Sequence, residues 1–216
     1  MQATDNLHKL HDSVQRRISS LQSCYNSIAI KPAHDGKVLL SYIAIELDNL
    51  NVSALREFTV STIRGAKTIL GNRVSVNVKV RKEEEIAAYI LSIANTVKYK
   101  NMKNPISIQR DREHTVRDPK ITERIFLDCG ASNISSLQNA LSLNSSMFRD
   151  IAPIRNFYAH RCGDTFKKVE SRAKNLGVPK ISHPADLLNC VLTGRPHSIL
   201  ADWLFDAEIF YNELMQ

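Results

Sequence analysis

Near the start of the chain, Leu7, Leu10, Val14, Ile18, Leu21, Tyr25 and Ile28 recur at intervals of three and four. That period places them on one face of a helix, and such a stripe must be buried against another element. It predicts a helix over Thr4 to Ile30. Lys31-Pro32 is expected to end it, because a proline disfavours helical geometry in the residue before it. His34-Asp35-Gly36 is read as a turn; His-Asp also opens a metal-phosphohydrolase motif, but no second metal cluster follows. A second helix is expected over Lys37 to Leu70, bent near Asn49 to Ser53, with Ile43, Leu47, Leu50, Ala54 and Phe58 inward. Two amphipathic helices with so short a link form an antiparallel hairpin. The predicted class is therefore all-α, mainly a helical bundle.

Shorter elements follow. Arg73 to Val80 alternates valines with polar residues, a strand period in β-branched residues. A lone strand leaves its backbone unpaired, so a small two-stranded insert is expected, with Ile106–Ile108 or Thr115–Val116 as the partner. Gly65-Ala66-Lys67-Thr68 lacks the upstream glycine and the Gly-Lys pair of a phosphate loop. Helices are expected over Lys82–Val97, which has acids in its first turn, and over Ile121–Asp128 and Ile134–Leu143. Lys98 to Arg124, with eight Lys/Arg against four Asp/Glu, reads either as a phosphate-binding loop or as a solvated one. Ser145-Ser146 can cap the segment that follows. After it come an Asp164-capped helix to Leu176, with Phe166, Val169, Ala173 and Leu176 inward, and helices over Ala185–Leu192 and His197–Leu214. Trp203, Leu204, Ile209 and Phe210 are assigned to the buried side of the last helix. No repeat or linker divides residues 1–216, so one domain is expected.

The totals narrow the function. A chain of 216 residues has room for a sizeable core. A net charge of +7 and a pI near 9.3 favour an anionic partner, nucleic acid first. The N-terminus lacks a signal-peptide pattern, and the most apolar run, Val38 to Ile45, is too short to span a bilayer. A cytoplasmic protein with no membrane contact is expected. Cys24, Cys129, Cys162 and Cys190 are scattered without a C-x-x-C pair, which suggests reduced, buried thiols and no zinc site.

The chemistry concentrates in Arg149 to Gly163, RDIAPIRNFYAHRCG. Pro153 suits a first helical turn and Gly163 a helix stop. On a helix Asn156 and His160 share a face, whereas Arg155 and His160 lie about 140° apart around the axis. The long arginine can sweep toward the histidine's side, or a second copy of the helix can bring the two groups together. Arg155-Asn156-Phe157-Tyr158-Ala159-His160, an Arg, a polar residue and a His after four intervening positions, resembles the signature of the HEPN superfamily. The layout of long helices with a motif helix toward the end is similar to that family over most of the chain, loosely.

The resemblance implies a single HEPN-like helical domain acting as a metal-independent endoribonuclease, with no cofactor. It further implies a toxin or antiviral-defence role, a homodimer, and an antitoxin or defence-system partner protein. It gives catalytic roles to Arg155, Asn156 and His160. Histidine can give or take a proton near neutrality, arginine can grip phosphate oxygens through paired hydrogen bonds, and the Asn156 amide can orient either. One His and one Arg make an incomplete acid–base pair, which a twofold dimer would complete. Arg149, Arg161, Lys167 and Lys168 are the candidate RNA-binding cations; eight basic residues face three acidic ones from Arg149 to Lys180. Glu46 and Asp48 interrupt an apolar segment. They are either solvated or paired with a basic neighbour, or they help to orient the motif arginine. Where toxins silenced by nucleotidyltransferase antitoxins carry a tyrosine two residues after the histidine, this chain has Cys162. The competing reading is a non-catalytic RNA-binding or protein-interaction module within a larger complex, in which Arg155 and His160 bind a phosphate or a carboxylate.

Overall fold

The computed structural model describes residues 3–30 and 33–216. Among them the chain forms ten α-helices and no strand, as the apolar periodicity predicts. In order they are α1 (Leu7–Asn26), α2 (Ala33–Ile63), α3 (Glu83–Ala94), α4 (Thr96–Asn101), α5 (Pro119–Cys129), α6 (Ile134–Ser142), α7 (Met147–His160), α8 (Gly163–Asn175), α9 (Pro184–Leu188) and α10 (Ile199–Leu214). Two compact units are distinguishable. The first comprises Met1–Val14, Val52–Leu143 and Phe210–Gln216, and the second Gln15–Asn51 and Asn144–Ile209. Three of the four junctions fall inside α1, α2 and α10, where no change of composition marks them, and the fourth lies between α6 and α7.

The first helix is shorter than expected. Asn6 accepts the His8 N–H through its side chain, which starts α1 at Leu7 rather than at Thr4. Ser27–Ile30 continues as a 3₁₀ helix, and the expected Lys31-Pro32 stop lies outside the described residues. His34, Asp35 and Gly36 are not a turn but part of α2, where Asp35 sits in the first turn and complements the helix dipole. A side chain at Gly36 would meet the Ile28 methyl at 3.3 Å, so glycine there serves close packing. Ile28 against Gly36 and Arg17 against Glu46 (3.2 Å) show that the second unit contains an antiparallel helix pair. The expected bend at Asn49 to Ser53 does not interrupt α2.

In the first unit α2 stops at Ile63, seven residues before the expected Leu70. Gly65 takes φ +80°, its N–H bonds to Thr62 O, and the Ala66 N–H bonds to Ser61 O. Those two bonds form a Schellman stop, for which glycine is the natural residue. The expected two-stranded insert is absent. From Arg73 to Val80 burial does alternate, with the valines inward, but the backbone bonds elsewhere. Val74 N–H goes to Ala66 O, Asn77 N–H to Cys129 O, and Ser75 N–H to the Ser132 hydroxyl. Ile108, an expected strand partner, instead donates to Glu84 O. Helix signals and loop contacts thus satisfy a strand-like segment without a ladder.

The core of the first unit includes Phe58 and Phe126, with ring centroids 5.4 Å apart, and buried Leu55, Ile125 and Leu137. Asn95 ends α3 early and caps α4 by accepting the Lys98 N–H at 2.9 Å. Asp118 caps α5, and Gly130 at φ +61° ends it. Charge is also buried here. Arg56 on α2 makes two bonds to Glu113, at 2.7 and 2.8 Å, and meets Glu57 at 3.0 Å and Glu83 at 3.1 Å. Arg110, from the basic loop, also meets Glu57 at 3.1 Å. Glu57 is only 1% exposed. Part of the expected solvated or phosphate-binding loop is therefore folded, as α4 and a 3₁₀ turn at Arg110–Arg112, and anchored by acids.

Removing Arg56 would leave these carboxylates without their shared counter-charge. Arg56→Ala is expected to cost about 3–5 kcal/mol, against at most about 0.5 kcal/mol for the exposed Arg112→Ala. Urea unfolding of both variants checks this; equal losses would show that the cluster contributes nothing.

Candidate functional site

The motif lies on α7 of the second unit. Helix α7 begins at Met147, whose N–H bonds to the Ser145 hydroxyl at 3.3 Å; Ser146 instead accepts from the Trp203 indole at 3.2 Å. Of the two expected capping serines, one acts as a cap and the other packs the last helix. Trp203 and Leu204 are buried, and Ile209 is half-buried. Because α7 starts so early, Pro153 sits inside the helix and not in its first turn. Gly163 is not the stop either. Helix α7 ends at His160, and Arg161 takes the left-handed conformation, φ +45° and ψ +43°, with its N–H bonded to Phe157 O. Gly163 opens α8, and Cys162, not Asp164, occupies its N-cap position.

A non-glycine residue in left-handed geometry costs on the order of 1–2 kcal/mol. The chain accepts that cost for an arginine immediately after His160, with a glycine two positions later where its freedom is not needed. Arg161 and His160 are both exposed. No described side chain hydrogen bonds to the His160 ring, so both of its nitrogens are open to a substrate.

Arg155 is half-exposed. Its Nε lies 4.0 Å from Asp48 Oδ2, and its Nη1 donates to Asn156 Oδ1 at 3.5 Å. Asp48 is 1% exposed, so the carboxylate facing the motif arginine is fully buried. Glu46 is engaged elsewhere: it accepts from Arg17 at 3.2 Å and from Asn49 at 3.1 Å. Of the two acids singled out in the sequence, Asp48 meets the motif and Glu46 does not. The candidate RNA-binding cations diverge as well. Arg149 donates to Asp150 at 2.9 Å, Lys167 lies 3.9 Å from Asp164, and Lys168 is exposed. Asp150 is buried and also meets Arg172 of α8 at 3.5 Å, so it joins α7 to α8. On α8, Val169 and Ala173 are buried, while Phe166 and Leu176 are half-buried.

Sequence reasoning missed His183. Its Nδ1 accepts the Ala185 N–H at 3.1 Å at the start of α9, which puts the proton of the neutral ring on Nε2. The ring packs against Phe157 and Tyr158, each with centroids 5.8 Å away, and Phe157 also meets Phe166 at 5.7 Å. This aromatic cluster fixes the outer half of α7. A lone histidine before a proline carries no sequence signal of such a role. The Tyr158 hydroxyl is buried without a hydrogen-bonding partner among the described residues, and burial together with Asp186 holds its pKa well above the ordinary value. The four cysteines are unpaired, as expected, but only Cys129 is buried; Cys162 is exposed, and hydrogen bonds from Thr165 lower its pKa. Among the described residues no group of three or more His, Cys, Asp or Glu side chains is arranged to hold a metal ion.

Comparison of the chain with protein-family models, with curated proteins and with solved structures found no match. The residues and their geometry are therefore the basis for the function.

Burial lowers the His183 pKa, Lys37 and Arg161 lower it further, and Asp186 opposes them. The unfolded chain then binds this proton more readily than the folded one. The associated stability is present above about pH 6.5 and is lost as pH falls toward the folded-state value. His183→Asn keeps a capping acceptor but cannot titrate. Its urea midpoint is expected to fall less than that of the wild type between pH 7 and pH 5. Parallel pH profiles would remove His183 from this account.

Proposed function

We propose that the second unit carries a metal-independent endoribonuclease site of the HEPN type. The observation that carries this reading is the end of α7: an exposed His160 with no hydrogen-bonding partner among the described residues, and Arg155 on the same helix backed by the buried carboxylate of Asp48. RNA supplies its own nucleophile. The 2′-hydroxyl gives its proton to one His160 as its oxygen bonds to phosphorus. The P–O5′ bond then breaks, and the 5′-oxygen takes a proton from His160 of a second copy. Two Arg155 side chains would neutralise the phosphorane oxygens by charge-assisted hydrogen bonds. Asp48 helps to hold Arg155 in place, and Asn156 orients substrate. Arg161 is the cation best placed by sequence to meet the next phosphate; Lys168 and Arg149 extend the positive surface.

In this reading the protein is a cytoplasmic homodimer acting as a toxin or antiviral-defence effector, with RNA as its substrate and an antitoxin or defence protein as its partner. A tyrosine-modifying antitoxin is not expected, because Cys162 stands at the position concerned.

Purified protein incubated with total RNA in chelator tests the reading. Wild type is expected to cut. His160→Ala should lose a factor of roughly 10²–10⁴, and Arg155→Ala about 3 kcal/mol of transition-state stabilisation by analogy with a lost oxyanion donor. Both should retain wild-type helicity, since His160 is exposed and Arg155 half-exposed. A wild type that binds RNA without cutting it, even with cell extract added, would favour the binding-module reading instead.

A further inference from the structure

A second basic site lies in the first unit, away from the α7 motif in sequence and not used by the proposed reaction. Where α2 ends, a cleft of about 470 Å³ is lined by Arg64, Arg73 and Arg81, with Ser75 beside them and Asp5 as the one carboxylate among the described lining residues. The three arginines converge because one helix end gathers them. Arg64 follows the last residue of α2. Arg81 donates from Nη1 to Ile63 O at 3.2 Å, and Arg73 from Nε to Gly65 O at 3.2 Å. Each guanidinium carries five N–H donors, and these two spend one apiece on neutral carbonyls. Their positive charge is not met by any described carboxylate. Among the described residues Arg64 has only long ion pairs, 3.8 Å to Asp5 and 3.6 Å to Glu83, and the Asp5 side chain is 87% exposed.

The surroundings define what could bind. A side chain on Gly65 would lie 3.2 Å from Val74 O, so the turn and the segment bearing Arg73 are pressed together and the cleft wall is fixed. Ser75 is held there by backbone bonds to Ser132 in both directions. Among the described residues the apolar side chains in the lining are Val74 and Val76. Among the described residues no aromatic ring lines the cleft for a base to stack on. A neighbouring cleft shares Arg64 and Arg81 and adds Lys82 and Arg110 together with Glu83, Glu84 and Glu113, so beyond the two shared arginines the carboxylates offset the cations. The positive region is therefore short.

We infer that the Arg64, Arg73 and Arg81 cleft of the first unit binds a single terminal phosphate or pyrophosphate group, recognised through its oxygens. Such a group arrives either on a small phosphorylated molecule or on the 5′ end of an RNA strand. Paired N–H donors from guanidinium groups match its oxygens, and the Ser75 hydroxyl adds a further donor. The inference stands on the first unit alone and does not require the ribonuclease reading.

Calorimetric titration of the full chain at low salt tests it with three probes. These are inorganic pyrophosphate, a short 5′-phosphorylated oligoribonucleotide and the same strand with a 5′-hydroxyl. The comparison variant is Arg73→Gln/Arg81→Gln. Both residues are exposed, and its fold is checked by thermal melting. Lys9→Gln/Lys120→Gln removes the same charge from exposed positions of the same unit. Wild type is expected to bind pyrophosphate or the 5′-phosphorylated strand, with roughly tenfold weakening for each guanidinium removed and little change in the lysine variant. Pyrophosphate binding alone assigns a small phosphorylated ligand, and preference for the 5′-phosphorylated over the 5′-hydroxyl strand assigns an RNA end. The inference is overturned if wild type binds none of the probes or if the arginine variant binds as well as wild type. It is also overturned if the lysine variant loses as much, or if the two strands bind alike while pyrophosphate does not.

Discussion

Arg56 is the constraint around which the first unit is arranged. A guanidinium on the inner side of a long helix cannot be left without counter-charge, because an unpaired buried ion costs several kcal/mol. The unit answers with carboxylates from three places: Glu57 on α2 itself, Glu83 in the first turn of α3, and Glu113 from the segment before α5. Meeting that one requirement fixes where α3 begins and anchors the basic stretch that precedes α5. At the end of α2 Arg73 and Arg81 have carbonyl partners in place of acids, and Arg64 has long ion pairs to Asp5 and Glu83, which is why that cleft stays positive.

The same helix applies the same physics in the second unit. Asp48 is buried on α2 and faces Arg155, and Asp150 is buried on α7 and faces Arg149 and Arg172. One carboxylate supports the motif arginine, and the other joins the motif helix to its neighbour. The Phe157, Tyr158 and His183 rings pack the remaining side. What stays exposed is His160 and the left-handed Arg161. Among the described residues the His160 ring has no hydrogen-bonding partner, which leaves it accessible to a proton donor or acceptor in a substrate.

The helical class was legible because apolar period is a local property. Leu7, Leu10, Val14, Ile18 and Leu21 are all buried, as are Ile43, Leu47, Leu50, Ala54 and Phe58. Boundaries were less legible where the deciding bonds are specific. Gly65 stops α2 through a Schellman pair, but in the sequence it stands within Gly65-Ala66-Lys67-Thr68, where no local pattern marks a helix end. Gly163 and Pro153 carry familiar boundary signals, but tertiary packing of Met147 and Trp203 starts α7 early and Arg161 ends it. The valine alternation from Val74 to Val80 does set which side chains are inward; it does not say what receives the backbone bonds. The motif residues were visible as a short pattern. The contacts of Asp48 with Arg155, of Arg56 with Glu113 and of His183 with Phe157 join residues distant in sequence, which no local pattern encodes.

The proposed chemistry depends on the substrate's own 2′-hydroxyl, and that can be probed atom by atom. An oligoribonucleotide cut by the wild-type chain is resynthesised with a single 2′-deoxy nucleotide on the 5′ side of the cleaved bond, and the products of both strands are analysed by mass. The account predicts 2′,3′-cyclic phosphate and 5′-hydroxyl ends from the all-ribose strand and no cleavage at the deoxy position. Cleavage that persists there, or products with 5′-phosphate and 3′-hydroxyl ends, would contradict it.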